Sequence, residues 1–240
     1  MDNKKYVLQE ILCEQELELF LRLRYECFSS SEAELFVSKN ASNIDLNYYD
    51  RNAKHYGLYM VQHDLKKPAG YFRIVLEAPT KADKWIQNIS QRLGLTYLIV
   101  NRPASRLPCL GVYPDACLEQ DFYATKEISE KIGEAGRLLI VKSERSVKLS
   151  LLLIKSAFAI AALYVQHAFV GCFKEHSKAY TRLGFRQYPG TSSFFPILSV
   201  LQREGVVLYC KAEYVPGEYR SALTIMQQQF VEKKCLTFYL

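Results

Sequence analysis

From Leu149 to Gly171 the chain reads LSLLLIKSAFAIAALYVQHAFVG, and this apolar run limits what the rest can fold into. It is long enough to span a bilayer. Lys155, Gln166 and His167 interrupt it, however, and polar or charged groups are costly in lipid. A buried helix from about Ser146 to Tyr164, then a buried strand VQHAFVG ending at the polar CFKEH, explains the pattern better. Both elements need a large core around them. With 240 residues, 49% hydrophobic and 23% charged, the chain can bury one.

Charge and thiols narrow the class. The formal excess of +6 is spread along the chain without a basic run, so it disfavours nucleic acid and suits an acidic protein or a small anion. The 17 Tyr and 13 Phe lie mostly in apolar strands and not beside basic clusters. Seven scattered cysteines form no CxxC pair and read as reduced and mostly buried. MDNKKYVLQE carries no apolar signal region, so a cytoplasmic protein is expected.

Along the chain, LQEILCEQELELFLRLRYECF has the spacing of an amphipathic helix, and the Ser- and Asn-rich segment after it reads as a loop able to fold over a site. HYGLYMVQHD and AGYFRIVLEA form a predicted hairpin turning near Leu65 to Pro68. KADKWIQNISQRLG is a helix closing on Gly94, LTYLIV a strand, and NRPASRLPCLGVYPDACLEQDF an irregular loop or lid. EAGRLLIV is a central strand, HSKAYTRLGFRQY a short helix ending at Gly184, GVVLYCKAEY the last strand, and a final helix begins near Pro216. This order predicts an α/β (α+β) fold, a single domain over 1–240 with a mixed twisted sheet and helices on both faces. Its core falls at roughly 15–190, with a C-terminal strand and helix at 200–235.

GxxxxGK[ST], HExxH, GxSxG and GxGxxG are all missing, which leaves NTPase, zinc-protease and serine-hydrolase chemistry without their signatures. The four histidines are too dispersed to suggest a metal site, and no metal is expected. Charged residues at the edges of apolar strands remain: Arg24, Arg73, Glu134 and Arg137. An arginine inside a strand as apolar as GYFRIVL needs a carboxylate or phosphate partner. Asp45, Asp50 or Glu134 of the protein could serve that need, or a ligand could.

LRYECF, DLNYYD, GYFR and EAGRLLIVKSER occur in one order, followed by HSKAYTRLGFRQY. The set resembles the autoinducer-synthase-like branch of the Gcn5-related N-acyltransferase superfamily (GNAT), which includes acyl-homoserine-lactone synthases and long-chain N-acyl amino acid synthases. DLNYYD resembles the branch's ExDxYD with Asn47 in place of the middle acid, and SERSVKLS lacks the glycine-rich pyrophosphate loop that many superfamily members place before the long helix. The resemblance implies a GNAT-like domain that moves a long acyl chain from a thioester to the amine of an amino acid or similar small acceptor. No tightly bound cofactor is implied. Without the glycine loop, acyl carrier protein is the preferred donor and acyl-CoA the alternative. Any contact with a membrane is expected of the acylated product only.

For the site, the resemblance implies Glu134 as base, a strand N–H near Leu139 or Ile140 for the oxyanion, and Tyr180 to protonate the thiolate. Packing beside Gly184 and Phe185 is the plain alternative for Tyr180. Acceptor contacts are expected from Arg24, Asp45, Asp50, Arg73 and Arg137, with Arg24 and Arg73 gripping an acceptor carboxylate. Donor contacts are expected from Arg145, Ser146 and Lys148, and an acyl tunnel from SLLLIKSAFAIAALYV and TSSFFPILSVL. A short-chain acetyltransferase using acetyl-CoA and a catalytically silent acyl-binding module are the rival readings.

Overall fold

A two-residue left-handed turn at His63 and Asp64, with φ of 48° and 61°, reverses the chain between β2 (Ala53–Gln62) and β3 (Leu65–Leu76). Such turns match the twist of the paired strands. Seen in a computed structural model that describes residues 4–31, 33–112, 118–127, 129–188, 191 and 204–240, this hairpin lies in a sheet of eight strands. The others are β1 (Lys5–Glu10), β4 (Ile132–Ile140), β5 (His167–Phe173), β6 (Arg186–Gln187), β7 (Gly205–Lys211) and β8 (Cys235–Tyr239). Their spatial order is β6-β7-β5-β4-β3-β2-β1-β8.

Alternation along the strands sends side chains to two helical layers. Tyr59, Tyr71 and Leu139 pack with Leu17, Phe20 and Leu21 of α1 (Glu14–Ser29) and Ile86 and Ile89 of α2 (Ala82–Arg92). Phe72, Ile74 and Ile140 point the other way. They meet Leu153, Ala157 and Phe158 of α5 (Val147–Ala161) and the cluster that includes Leu223 and Phe230 of α7 (Gly217–Lys233). The apolar run is therefore a helix wrapped by its own fold. No helix among the described residues is long and apolar enough to cross a membrane.

Neighbouring strands are antiparallel except β4 and β5. These two run parallel and pair only through Ile132, Gly133 and Glu134 with His167, Ala168 and Phe169. Both strands continue beyond that point, so they part and leave a gap in the middle of the sheet. On its other side β4 carries a bulge opposite β3: Tyr71 faces Leu139 and Arg73 faces Gly136, so Arg137 and Leu138 share Phe72. Arg137 takes up the extra residue with φ of 54°.

Several segments differ from the expectation. The hairpin turns earlier than Leu65 to Pro68. Proline fits inside β3 because β4 has ended: the last pair is Gly70 with Ile140, and Pro68 needs no donor on that side. LTYLIV supplies α3 (Tyr97–Val100) and not a strand, with Ile99 buried under α2; a short apolar run does not distinguish the two by period. The opening segment divides into β1 and α1. α4 (Leu118–Thr125), α6 (Ser177–Thr181), β6 and β8 complete the elements, and α4, β6 and β8 were not anticipated. Most of TSSFFPILSVL lies outside the described residues.

Gly184 ends the α6 turn with φ of 95°, and an added Cβ would fall 2.2 Å from the Tyr214 carbonyl oxygen. Gly184→Ala is expected to destabilise the protein by roughly 2–3 kcal/mol, read from the urea midpoint. An unchanged midpoint would show that this close approach is not required.

Candidate active site

On the α1 face, the first turn after the 31–44 loop brings two carboxylates against three guanidiniums. Asn47 caps a 3-10 turn (Tyr48–Asn52): its Oδ1 accepts the Tyr49 N–H at 3.1 Å, and Asp50 Oδ2 accepts the Asn47 N–H at 2.9 Å. That reciprocal cap fixes Asp50 beneath the sheet. Arg24, fully buried, donates to Asp45 through Nε (3.0 Å) and Nη2 (2.7 Å) and to Asp50 through Nη1 (2.7 Å). Its Nη1 also donates to the Tyr71 hydroxyl at 3.1 Å, and Nη2 lies 3.4 Å from Asp50 Oδ2. Arg73 Nη1 reaches Asp50 Oδ1 at 2.5 Å and Asn47 Oδ1 at 3.1 Å. Arg137 completes the group, with Nε 3.3 Å from Asp45 and Nη2 donating to the Phe36 carbonyl at 2.6 Å.

His55 holds the network from behind. It stands opposite Arg73 in the hairpin register, with Nδ1 2.6 Å from the Tyr71 hydroxyl and Nε2 3.0 Å from the Asp50 carbonyl. A carbonyl can only accept, so Nε2 carries the proton and Nδ1 accepts from Tyr71, whose oxygen then accepts from Arg24. Burial pushes the His55 pKa down to about 4, which keeps this neutral tautomer. Burial also pushes Asp50 up, yet Arg24 and Arg73 overcome it and hold the carboxyl well below the usual range. Burial, with Arg24 and Arg73 nearby, pulls Arg137 down to about 10 against the pull of Asp45.

Glu134 lies on the same face at the last pair joining β4 to β5. Its Oε2 accepts the Cys109 N–H at 2.7 Å, from the Pro108–Val112 turn that covers it. Its Oε1 lies 3.2 Å from where a Cβ of Gly136 would stand, so the carboxyl extends along β4 toward the bulge. Burial pushes the Glu134 pKa up; the Cys109 N–H, Arg73 and Arg137 pull back only in part.

The gap beyond Glu134 has its own lining. Ala135, Gly136 and Leu138 of β4, Val170 of β5, Phe72, Phe158, Tyr180 and Phe185 enclose a small apolar cavity there. Tyr180 is half-buried, and burial pushes its hydroxyl pKa up. The ladder decides which amides face this gap. Val141 N–H bonds the Ala69 carbonyl at 2.9 Å, so Leu139, two residues back, turns its N–H toward β3. Ile140 turns its N–H toward the gap, and its carbonyl on that side accepts from Arg145 Nε at 3.2 Å. Ser146 caps α5, its Oγ accepting the Leu149 N–H at 3.1 Å, while Lys148 is exposed in the first turn.

The structure thus brings Arg24, Asp45, Asp50, Arg73, Arg137 and Glu134 together, and sets Tyr180 across the sheet and Arg145, Ser146 and Lys148 at the helix entry. Two expectations change. The donors of Arg24 are occupied inside the protein, so it positions Asp45 and Asp50 and does not grip an acceptor carboxylate. The N–H facing the gap is that of Ile140, because Leu139 belongs to the β3 ladder. His55, Tyr71 and Cys109 were missed. Pairing the hairpin would have shown His55 opposite Arg73, but nothing in the chain signals that Cys109 reaches Glu134. Among the described residues no cluster of His, Cys, Asp and Glu is arranged to hold a metal ion.

Asp50→Asn is expected to cost about 3–5 kcal/mol, since it leaves two buried guanidiniums short of a carboxylate; a loss under 1 kcal/mol in urea unfolding would contradict the network. The lowered His55 pKa gives a second expectation. Between about pH 6.5 and 4 the unfolded chain takes up a proton that folded His55 refuses, so stability falls as pH falls through that window. His55→Asn should flatten the slope relative to the parent, and parallel pH curves would place the proton elsewhere.

No protein-family model matches the chain, and no curated protein sequence matches it. Among solved structures it is similar to FeeM, an N-acyl amino acid synthase from uncultured soil microbes, at 12% identity and a TM-score of 0.50 over 94% of this chain and 98% of that one. It is also similar to BjaI, a CoA-dependent acyl-homoserine lactone synthase solved with SAM and isopentyl-CoA, at 14% identity and a TM-score of 0.53 over 93% and 90%. LasI, an AHL synthase, gives 14% identity and a TM-score of 0.50 over 87% and 90%. The chain has the fold these synthases share.

Proposed function

We propose that the protein is an acyltransferase that moves a long fatty acyl chain from a carrier-protein or CoA thioester to the amine of an amino acid or similar small acceptor. The observation carrying this reading is the coincidence of three features at one point of the sheet. β4 and β5 part just past Glu134, Ile140 turns an unladdered N–H into the gap, and Tyr180 lines the cavity behind it. The shared fold supports it.

In the proposed reaction the thioester enters the gap with its carbonyl toward the Ile140 N–H. Glu134, or a water it holds, takes a proton from the acceptor ammonium; the free amine attacks the carbonyl, and the oxyanion is stabilised by the strand amide. Collapse expels the donor thiolate, which Tyr180 protonates, while the nitrogen that attacked gives its second proton to solvent, from which the tyrosinate recovers one. A buried carboxyl with a raised pKa suits the base, since its proton affinity lies closer to that of the working solution. Tyr180, kept protonated by burial, suits the acid. The turn that carries Cys109 covers Glu134 and must shift to expose it.

Arg145, Ser146 and Lys148 stand where the donor's phosphate would approach the N-terminus of α5, which carries no acidic residue in its first turn. Only one phosphodiester needs to be held if the pantetheine is on a carrier protein, whose acidic surface the +6 excess favours. Acyl carrier protein is thus the preferred donor over CoA.

Purified protein offered palmitoyl carrier protein or palmitoyl-CoA with an amino acid pool should release thiol only when an amino acid is present, with an N-acyl amino acid mass. Glu134→Gln should lower that rate by about 100-fold or more while donor binding persists. Consumption of acetyl-CoA alone would replace this reading with a short-chain acetyltransferase, and silence from every donor with binding intact would leave an acyl-binding module.

A further inference from the structure

We infer that Arg106 is a positioning residue that gates the acceptor's access to Glu134: its guanidinium latches the turn whose Cys109 N–H covers the carboxylate, and that turn slides before an amine can reach it. The inference rests on the acyltransferase reading of the same site and adds a means of control to it.

The site is closed as it stands. Glu134 is 6% exposed, and its Oε2 accepts the Cys109 N–H at 2.7 Å. A charge-assisted bond of this kind has to break before an amine can stand against that oxygen. The cover, from Ser105 to Leu110, is short and closes on itself: Ser105 Oγ donates to the Leu107 carbonyl at 2.7 Å, and the Leu110 N–H reaches the same carbonyl at 3.2 Å. Leu107 and Leu110 are buried in the cluster that holds Phe122 and Phe169. They keep the turn against the sheet, but apolar contact has no direction and does not fix where along the sheet the turn sits.

Polar ties fix that position. At Ser105 the carbonyl accepts the Tyr49 hydroxyl at 3.1 Å. At the next residue the Arg106 side chain spans two elements. Its Nη1 donates to Glu77 Oε1 at 3.4 Å just past β3, its Nε lies 3.5 Å from Glu119 Oε1 on α4, and its Cζ lies 4.4 Å from the centre of the Tyr123 ring. Glu77 is itself held, since Oε1 accepts the Tyr123 hydroxyl at 2.6 Å and Oε2 accepts the N–H of Ile132 at 3.3 Å. Ile132 opens the strand that carries Glu134, so Arg106 ties the cover to the strand it covers. The Arg106 side chain is 47% exposed, which makes its ion pairs weak and open to screening by salt. A latch of this strength keeps the turn closed at rest and yields to an acceptor.

When only the open fraction binds acceptor, the apparent KM is the intrinsic value divided by that fraction. In thiol release from a palmitoyl donor, Arg106→Ala should therefore lower the acceptor KM by roughly 3- to 10-fold, the range for an exposed ion pair with a stacked ring. Both kcat and the donor KM should stay unchanged, whereas mere damage to the fold would lower kcat or raise KM. Arg106→Lys keeps the charge without the planar fork and should show a smaller fall. Hydrogen exchange at the Cys109 amide, followed by NMR in the free protein, should quicken by the same factor in Arg106→Ala, and also in the parent when salt screens the pairs. The salt experiment needs no variant to fold. An acceptor KM that stays or rises while Cys109 exchange quickens would show that the cover is no gate, and unchanged exchange in the variant and in salt would show that Arg106 is no latch. Either result overturns the inference and leaves the acyltransferase reading intact. If no amine is acylated from any donor, that reading fails and the gate with it, while exchange at Cys109 still decides whether Arg106 latches the turn.

Discussion

Asp50 is the group on which the candidate site depends. Fully buried, it joins Arg24 of the first helix to Arg73 of the central hairpin and caps the turn that carries it. The two ion pairs cross between elements distant in the chain. A helix, a loop and two strands are therefore held in one arrangement by a single carboxyl, and His55 and Tyr71 fix the proton positions behind it. Buried ion pairs add little net stability over apolar packing, but breaking one is expensive. Such a network reads as a device for holding geometry.

The parting of β4 and β5 is the second constraint, and it depends on the first. Arg137 reaches Asp45 from the β4 bulge, with backbone φ of 54°, so the ion network and the irregular strand are tied together. The bulge shifts which β4 side chains face each layer, leaving Glu134 on the α1 face and Leu138 in the cavity on the α5 face. The candidate site built this way has its charged groups on one side of the sheet and its apolar lining on the other, with the gap joining them.

Much of this was legible in the chain. The apolar run gave away α5 and β5 because a helix hydrophobic on most sides must be buried, and GYFRIVL required a partner for Arg73 because a charge cannot stay alone there. The ordered motifs pointed to the fold that the chain shares with FeeM and BjaI. What escaped was set by tertiary contacts. LTYLIV became helical under α2, β8 followed a helix end at Lys234 with φ of 56°, and the Cys109 contact crosses from an irregular loop to a strand. Choosing between Leu139 and Ile140 needed the hydrogen-bond phase of the ladder, which no residue type encodes.

The most direct measurement is a crystal structure with a non-hydrolysable long-chain 2-oxoalkyl thioether analogue of the donor, which keeps a carbonyl one methylene beyond the sulfur. The account predicts the analogue in the gap between β4 and β5, its carbonyl oxygen within hydrogen-bond distance of the Ile140 N–H and its sulfur beside Tyr180. An analogue bound elsewhere, with the gap closed and Glu134 still capped by Cys109, would contradict it.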